Sequence, residues 1–298
     1  MNDKPQKKKV AGASYPVKAD ETVEEFLAHA MQGKSRTSIK QLIQKGAIVV
    51  GKRKVKKLDE MLHAGETVFV GKRPEPVFPM PPGLRIIWED KWLIVAKKET
   101  GLLTVGNESD DVHTAQNYLN AYMQFKNEGD RIFIVHRIDR DTSGVLLFAK
   151  NENTQYKLRS NWNEVVHSRR YIAIVEGWPE PAEGTIDTWI EENDNMTMYV
   201  SRPGVGKRAI THYKVVKRNN GFAMLELELD TGRKNQIRVH MSHIGHPVAG
   251  DGKYGSQTDP LGRLCLHAQQ IEFEHPETGE IMEFSSEIPR NFIELFKN

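Results

Sequence analysis

The sequence predicts an α+β protein in two parts: a small α+β domain near the N-terminus, then a larger domain built on a mixed, largely antiparallel sheet. Three observations predict it. Apolar runs of strand length are grouped rather than alternating with helices. Helical patterns are few. A stretch with five prolines between Arg73 and Pro82 separates the two parts as an extended linker.

Residues 1–16 are polar and Lys-rich (Lys4, Lys7, Lys8, Lys9) and read as a disordered basic tail. Residues 17–72 read as the small domain. Thr22 is placed to cap a short helix through Phe26 and Leu27, with Glu25 at the capping-box spacing. A second helix is predicted near residues 35–45 from the stripe Ile39, Leu42 and Ile43, with Arg36 and Lys40 beside it and Gly46 ending it. Short strands are predicted at 47–50 and 67–70, around a basic run at 52–57. Residues 73–83 form the linker and 84–298 the larger domain. In that domain, 85–90 and 92–97 read as paired strands around Asp90-Lys91, and 114–125 as a helix.

With 38% hydrophobic and 28% charged residues, the 298-residue chain has material for a core. No apolar run reaches the roughly 18 residues of a membrane span. The basic start lacks the apolar segment of a secretory signal. Cys265 is the single cysteine, so no disulfide forms within the chain and a reducing cytoplasm is the expected location. A monomer is expected. The net charge of +2 is uneven: residues 1–75 hold 16 Lys+Arg against 9 Asp+Glu. A local basic excess suits a polyanionic partner, because each phosphate contact releases counterions.

The most informative stretch is His136-Arg137-Ile138-Asp139-Arg140-Asp141-Thr142-Ser143-Gly144. Apolar segments at 132–135 and 145–149 bracket it. Thr, Ser, Gly and Asp are ordinary turn formers. One His, two Arg and two Asp beside a core are costly unless they pair or do chemistry.

Other patterns carry less. His240, His243 and His246 are evenly spaced, but the spacing is not that of the HExxH zinc motif, and Gly245 and Pro247 end the helix there. The run Gly204–Arg208 lacks the first Gly and the Ser/Thr of a phosphate loop.

The His136–Asp139 run resembles the signature of the RluA-type pseudouridine synthases, with Ile138 in a Leu position. Three further segments resemble the same family: 89–98; Arg170-Tyr171-Ile172-Ala173-Ile174-Val175-Glu176-Gly177; and Leu229–His240, continuing through 245–255 with Asn235 where His is frequent. The segment 266–276 fits its close. Residues 36–43, 46–50 and 64–68 resemble an S4-type RNA-binding domain.

The resemblance implies an enzyme that isomerises uridine in RNA without cofactor or metal. Asp139 is then the catalytic carboxylate. Arg233 is its first-choice partner, with Arg238 the second, and Tyr171 stacks on the uracil. Arg137 fills the gap left by the displaced base, while His136, Arg238, Arg36 and Lys40 contact RNA. The S4-like domain tilts the expected substrate toward large-subunit ribosomal RNA, with transfer RNA as the alternative. A non-catalytic RNA-binding or assembly protein of the same fold and a metal-dependent RNA hydrolase are the competing readings.

Overall fold

Thr22 and Glu25 close a full capping box. The Thr22 backbone N–H donates to Glu25 Oε2 at 2.9 Å, and the Glu25 N–H donates to Thr22 Oγ1 at 3.3 Å. They start α1 (Val23–Ala30), which follows β1 (Gly12–Pro16) and β2 (Glu21–Thr22). Next come α2 (Arg36–Gln44), capped by Ser35, then β3 (Ile48–Val50), β4 (Arg53–Lys54), β5 (Met61–Leu62) and β6 (Thr67–Gly71). The sheet order is β1-β6-β3-β4, with β2 paired to β5. Phe26, Leu27, Ile39, Ile43 and Leu62 fill the core of this unit.

The computed structural model describes residues 12–31, 35–51, 53–71, 78–106, 112–129, 131–219 and 221–297. Most of the expected tail (1–11) and part of the linker (72–77) lie outside them. The tail reading needs one correction. Gly12–Pro16 is an edge strand, paired antiparallel with β6 from Gly12↔Gly71 to Pro16↔Thr67. The apolar β6 offers an open edge, and Tyr15 packs on the small core. The chain divides into two units between Phe78 and Pro79.

The second unit begins with β7 (Leu84–Glu89), β8 (Leu93–Lys98), α3 (Ala115–Lys126), β9 (Phe133–Ile134) and β10 (Ser143–Ala149). It continues with α4 (Glu152–Ser160), α5 (Trp162–Val165), β11 (Val166–Glu176), β12 (Glu183–Glu192) and β13 (Met198–Ser201). It closes with β14 (Lys207–Arg218), β15 (Phe222–Leu229), α6 (Gln236–His243), β16 (Leu266–Glu274), β17 (Ile281–Ser285) and α7 (Arg290–Glu294). One sheet runs β13-β12-β14-β15-β11-β16-β10-β8-β7, with β17 beside β16 and β9 beside β10. No helix among the described residues is long and apolar enough to cross a membrane.

Strand β10 is buried along its whole length. Its side chains alternate: Leu146 and Phe148 pack toward Leu119 and Met123 of α3, while Val145, Leu147 and Ala149 pack toward Leu158 and Phe273. With both faces covered, the strand reads as an unbroken apolar run.

The sheet is antiparallel except at one place among the described residues. β10 meets β16 in parallel, over Ser143↔His267 and Gly144↔Ala268. Gly144 has φ +125°, and a Cβ there would lie 2.0 Å from Ala268 O. Two strands that continue into different halves of the sheet can approach only where one residue has no side chain. Gly144→Ala should therefore cost about 3–5 kcal/mol through backbone strain and overpacking. Urea denaturation of the two proteins measures this; a loss below about 1 kcal/mol would mean that the junction relaxes freely.

Candidate active site

The loop between β9 and β10 has little freedom, because its carbonyls are bonded one after another. Thr104 Oγ1 donates to Ile138 O at 2.8 Å, and the Thr142 N–H to Asp139 O at 3.2 Å. Arg140 O accepts from Lys98 Nζ at 2.8 Å and from the Gly101 N–H at 3.0 Å; Thr100 Oγ1 reaches Asp141 O at 2.8 Å. Ile138 is buried in the core, so the turn leaves Asp139 half-exposed. On the other side, His136 Nε2 accepts the Leu147 N–H at 3.0 Å, and its ring lies 5.3 Å from that of Trp162. Burial, reinforced by Arg169, pushes His136 down to about 3. The ring is neutral at working pH and serves as a strut for the loop rather than a cation for phosphate.

Lys98 is fully buried behind the loop. Burial pushes its ammonium down to about 7, against the attraction of Asp141 and Asp139. In an unfolded chain a lysine stays protonated to 10.5. Between those values the unfolded state binds the extra proton, so stability contributed by this site is full above about 10.5 and is lost as pH falls toward about 7. Wild-type stability relative to Lys98→Met should rise by about 1.4 kcal/mol per pH unit across that window. Urea midpoints at pH 7, 8 and 9 give the slope; parallel curves for the two proteins would place the Lys98 titration outside the window.

The partner of Asp139 is Arg238 rather than Arg233. Arg238 Nη1 lies 3.4 Å from Asp139 Oδ2. The same guanidinium grips Asp251 with two bonds, Nε to Oδ2 at 2.6 Å and Nη2 to Oδ1 at 2.8 Å. Asp251 side-chain exposure is 1%, so this pair is fixed from behind. Burial opposes the Arg238 charge, but Asp251 and then Asp139 outweigh it and raise the group above its ordinary value. Asn235 Oδ1 accepts from Arg238 Nη1 at 3.3 Å, and its Nδ2 donates to Tyr254 OH at 2.9 Å. Its φ of +53°, a conformation Asn tolerates, starts α6 so that Arg238 faces the loop. Among the described residues Asp139 Oδ1 has no hydrogen-bond donor, which leaves one carboxylate oxygen open. Arg233 instead donates from Nε to Arg208 O at 3.0 Å. Both arginines share the motif; Arg238 stands in the first turn of α6 and reaches the loop, whereas Arg233 lies before the helix.

Asp139, Tyr171, Arg233, Arg238, His136 and Arg137 all line one cavity of about 380 Å³. Tyr171 stands at a β-bulge, where β11 shifts register against β16 between Arg170 and Tyr171, and it touches the cores on either side. Burial, with a smaller push from Asp139, raises its hydroxyl, so the ring is an uncharged phenol. Arg137 is exposed; Asp141 pairs with Arg140 at 3.2 Å. Arg36 and Lys40 lie on α2 in the other unit, both exposed, and Arg36 Nε is paired with Glu24 at 2.6 Å. The spaced histidines diverge: His240 bonds to Thr188 and Thr211, and His246 donates to Glu176 O. Lys98, Thr100, Thr104 and Asp251 carried no functional signal in the sequence, since their roles rest on tertiary contacts.

A sequence model of the RNA pseudouridylate synthase family matches residues 92–243, and one of the S4 domain matches 24–68. An uncharacterized RNA pseudouridine synthase of Bacillus subtilis is 37% identical over 93% of this chain and 94% of its own. The chain belongs to the RNA pseudouridine synthase family. The ribosomal large subunit pseudouridine synthase D of Neisseria meningitidis is 34% identical to this synthase over 90% of this chain and 76% of that protein. Among solved structures, human RNA pseudouridylate synthase domain containing 4 superimposes with TM-score 0.57 at 26% identity, covering 70% of this chain and 90% of that one.

The geometry ranks the two arginines of the synthase. Lysine cannot hold Asp251 and Asp139 together in one planar fork. Arg238→Lys should lower the single-turnover rate at saturating RNA by about 100-fold, while Arg233→Lys leaves it within a few-fold. A larger loss in Arg233→Lys would return the pairing to Arg233.

Proposed function

We propose that this synthase converts uridine in large-subunit ribosomal RNA to pseudouridine, with Asp139 as the catalytic carboxylate. The observation that carries the reading is the composition of the cavity: among the described residues Asp139 is the one acid lining it, beside Arg137, Arg159, Arg169, Arg233 and Arg238. A carboxylate in a pocket of arginines suits chemistry on a polyanion, since the arginines can hold the strand while the acid acts on it.

The reaction breaks the N1–C1′ bond of uridine, turns the uracil and joins C5 to C1′; the C5 proton is lost and N1 gains one, so no atom is lost overall. Asp139 starts it, by attack at C1′ or by taking a ribose proton, and its open Oδ1 is the reacting atom. The neutral Tyr171 ring offers the detached uracil a flat apolar face. The target base has to leave its stack to reach the cavity, and the exposed Arg137 on the same loop is suited to fill the gap. The S4 domain, with Lys40 exposed on α2, adds affinity for RNA. The names of relatives favour ribosomal RNA over transfer RNA. A single buried thiol, Cys265, which burial pushes up to about 12, suits the reducing cytoplasm.

Pseudouridines mapped in cells with and without this gene identify the target. One or more uridines of large-subunit ribosomal RNA should lose modification, regain it with the wild-type gene, and fail to regain it with Asp139→Asn, which keeps size and removes charge. Sites lost only from transfer RNA would change the substrate, and rescue by Asp139→Asn would remove Asp139 from its role.

A further inference from the structure

We propose that Arg169, with Arg233 beside it, forms a subsite in the cavity wall for one backbone phosphate of the RNA strand that carries the target uridine. The inference rests on the cavity being the RNA site, not on any role of Asp139.

Arg169 stands on β11, two residues before Tyr171, and is half-buried. Its guanidinium is aimed before any ligand arrives. Nη2 donates to Leu229 O at 2.9 Å, and Cζ lies 5.9 Å from the Trp162 ring centroid. What it lacks is a counter-charge, for among the described residues Arg169 makes no ion pair. Arg233 makes none either, its Nε being spent on Arg208 O. Asp230, the acid that acts on Arg169, is already paired with His212 at 3.0 Å.

A half-buried arginine with no acid is costly, and a second one beside it adds to the cost. Burial disfavours the Arg169 cation and Arg233 works in the same direction, against Tyr171 and Asp230. Arg208 is answered by Asp187 and Arg238 by Asp251. An anion from outside is the missing partner.

The backbone makes room for it. A Cβ on Gly232 would lie 2.6 Å from Arg169 Nη1, so the guanidinium lies against bare main chain. The planar donor edge, fixed by Leu229 O and Trp162, matches two phosphate oxygens.

The test is the salt dependence of binding of fluorescein-labelled decauridylate to the full chain. Each phosphate contact on single-stranded RNA contributes about 0.7 to the slope of log K against log [KCl]. Arg169→Met should lower the slope by about 0.7 relative to wild type, and Arg169→Lys should restore it. Gly232→Ala, which pushes the guanidinium aside without removing charge, should lower it as Arg169→Met does. Arg85→Met, an exposed arginine on β7, should leave it unchanged. If Arg169→Met fails to fold by circular dichroism, Gly232→Ala decides. An unchanged slope in a folded Arg169→Met, or weaker binding with the slope intact, would make Arg169 a structural brace and overturn the proposal. So would a wild type that does not hold decauridylate. Turnover does not enter the readout, so a failed isomerisation assay would count against the proposed function alone.

Discussion

In the proposed reaction a carboxylate acts inside a cavity, and it has to be kept still with one oxygen open; the architecture around Asp139 meets those two demands. Stillness comes from the main chain: the carbonyls of residues 138 to 141 are each bonded, three of them to the segment that follows β8. The open oxygen follows from how Arg238 is shared. Two acids contact that guanidinium, and Asp251 takes the two shorter bonds. Asp139 is left with a contact of 3.4 Å on one oxygen. A tight bidentate pair with Asp139 would have occupied both oxygens.

Much of the fold was legible because it depends on local patterns. The capping box at Thr22, the apolar strands around β7 and β8, and the helix after Thr114 are properties of adjacent residues. The loop at 136–144 was conspicuous for carrying paired charge types between two core strands. Strand β1 was not legible, because Gly-Ala-Ser-Tyr-Pro has no apolar alternation of its own and its pairing is with the distant β6. The choice between Arg233 and Arg238 was hidden for a different reason: both lie in one motif, and only tertiary contacts show that Arg238, on α6, reaches Asp139 while Arg233, before that helix, bonds to Arg208 O. Lys98 closed the 89–98 segment with no role assigned to it. Its burial, and so its hold on Arg140 O, appears only once β10 and the loop are packed over it.

Net charge along the chain was also a poor guide to where cationic side chains gather. The basic surplus counted along the chain lies in the first 75 residues, and the rest of the chain carries more acids than bases. Yet the cavity in that acidic remainder is lined by five arginines. Its acids are bound elsewhere: Glu89 by Lys126 and Lys150, Glu277 by Lys157, Asp187 by Arg208. Such pairs contribute little to stability when exposed. They do neutralise the surface, so that the field of the domain is concentrated at the cavity.

The choice of cation follows the same division of labour. The cavity is lined by arginine and by no lysine, whereas the buried cation behind the loop is a lysine. A guanidinium stays charged, sheds water readily and presents a flat fork, which suits phosphates and bases that come and go. An ammonium is compact and directs its donors at separate carbonyls, which suits a fixed internal contact. Exchanging the two kinds would fail on both sides: an arginine at 98 is too large for its enclosed site, and lysines in the cavity would hold the strand as point charges with no control of its orientation. In the proposed reaction, a base turned over within the cavity needs that orientation kept while its glycosidic bond is open.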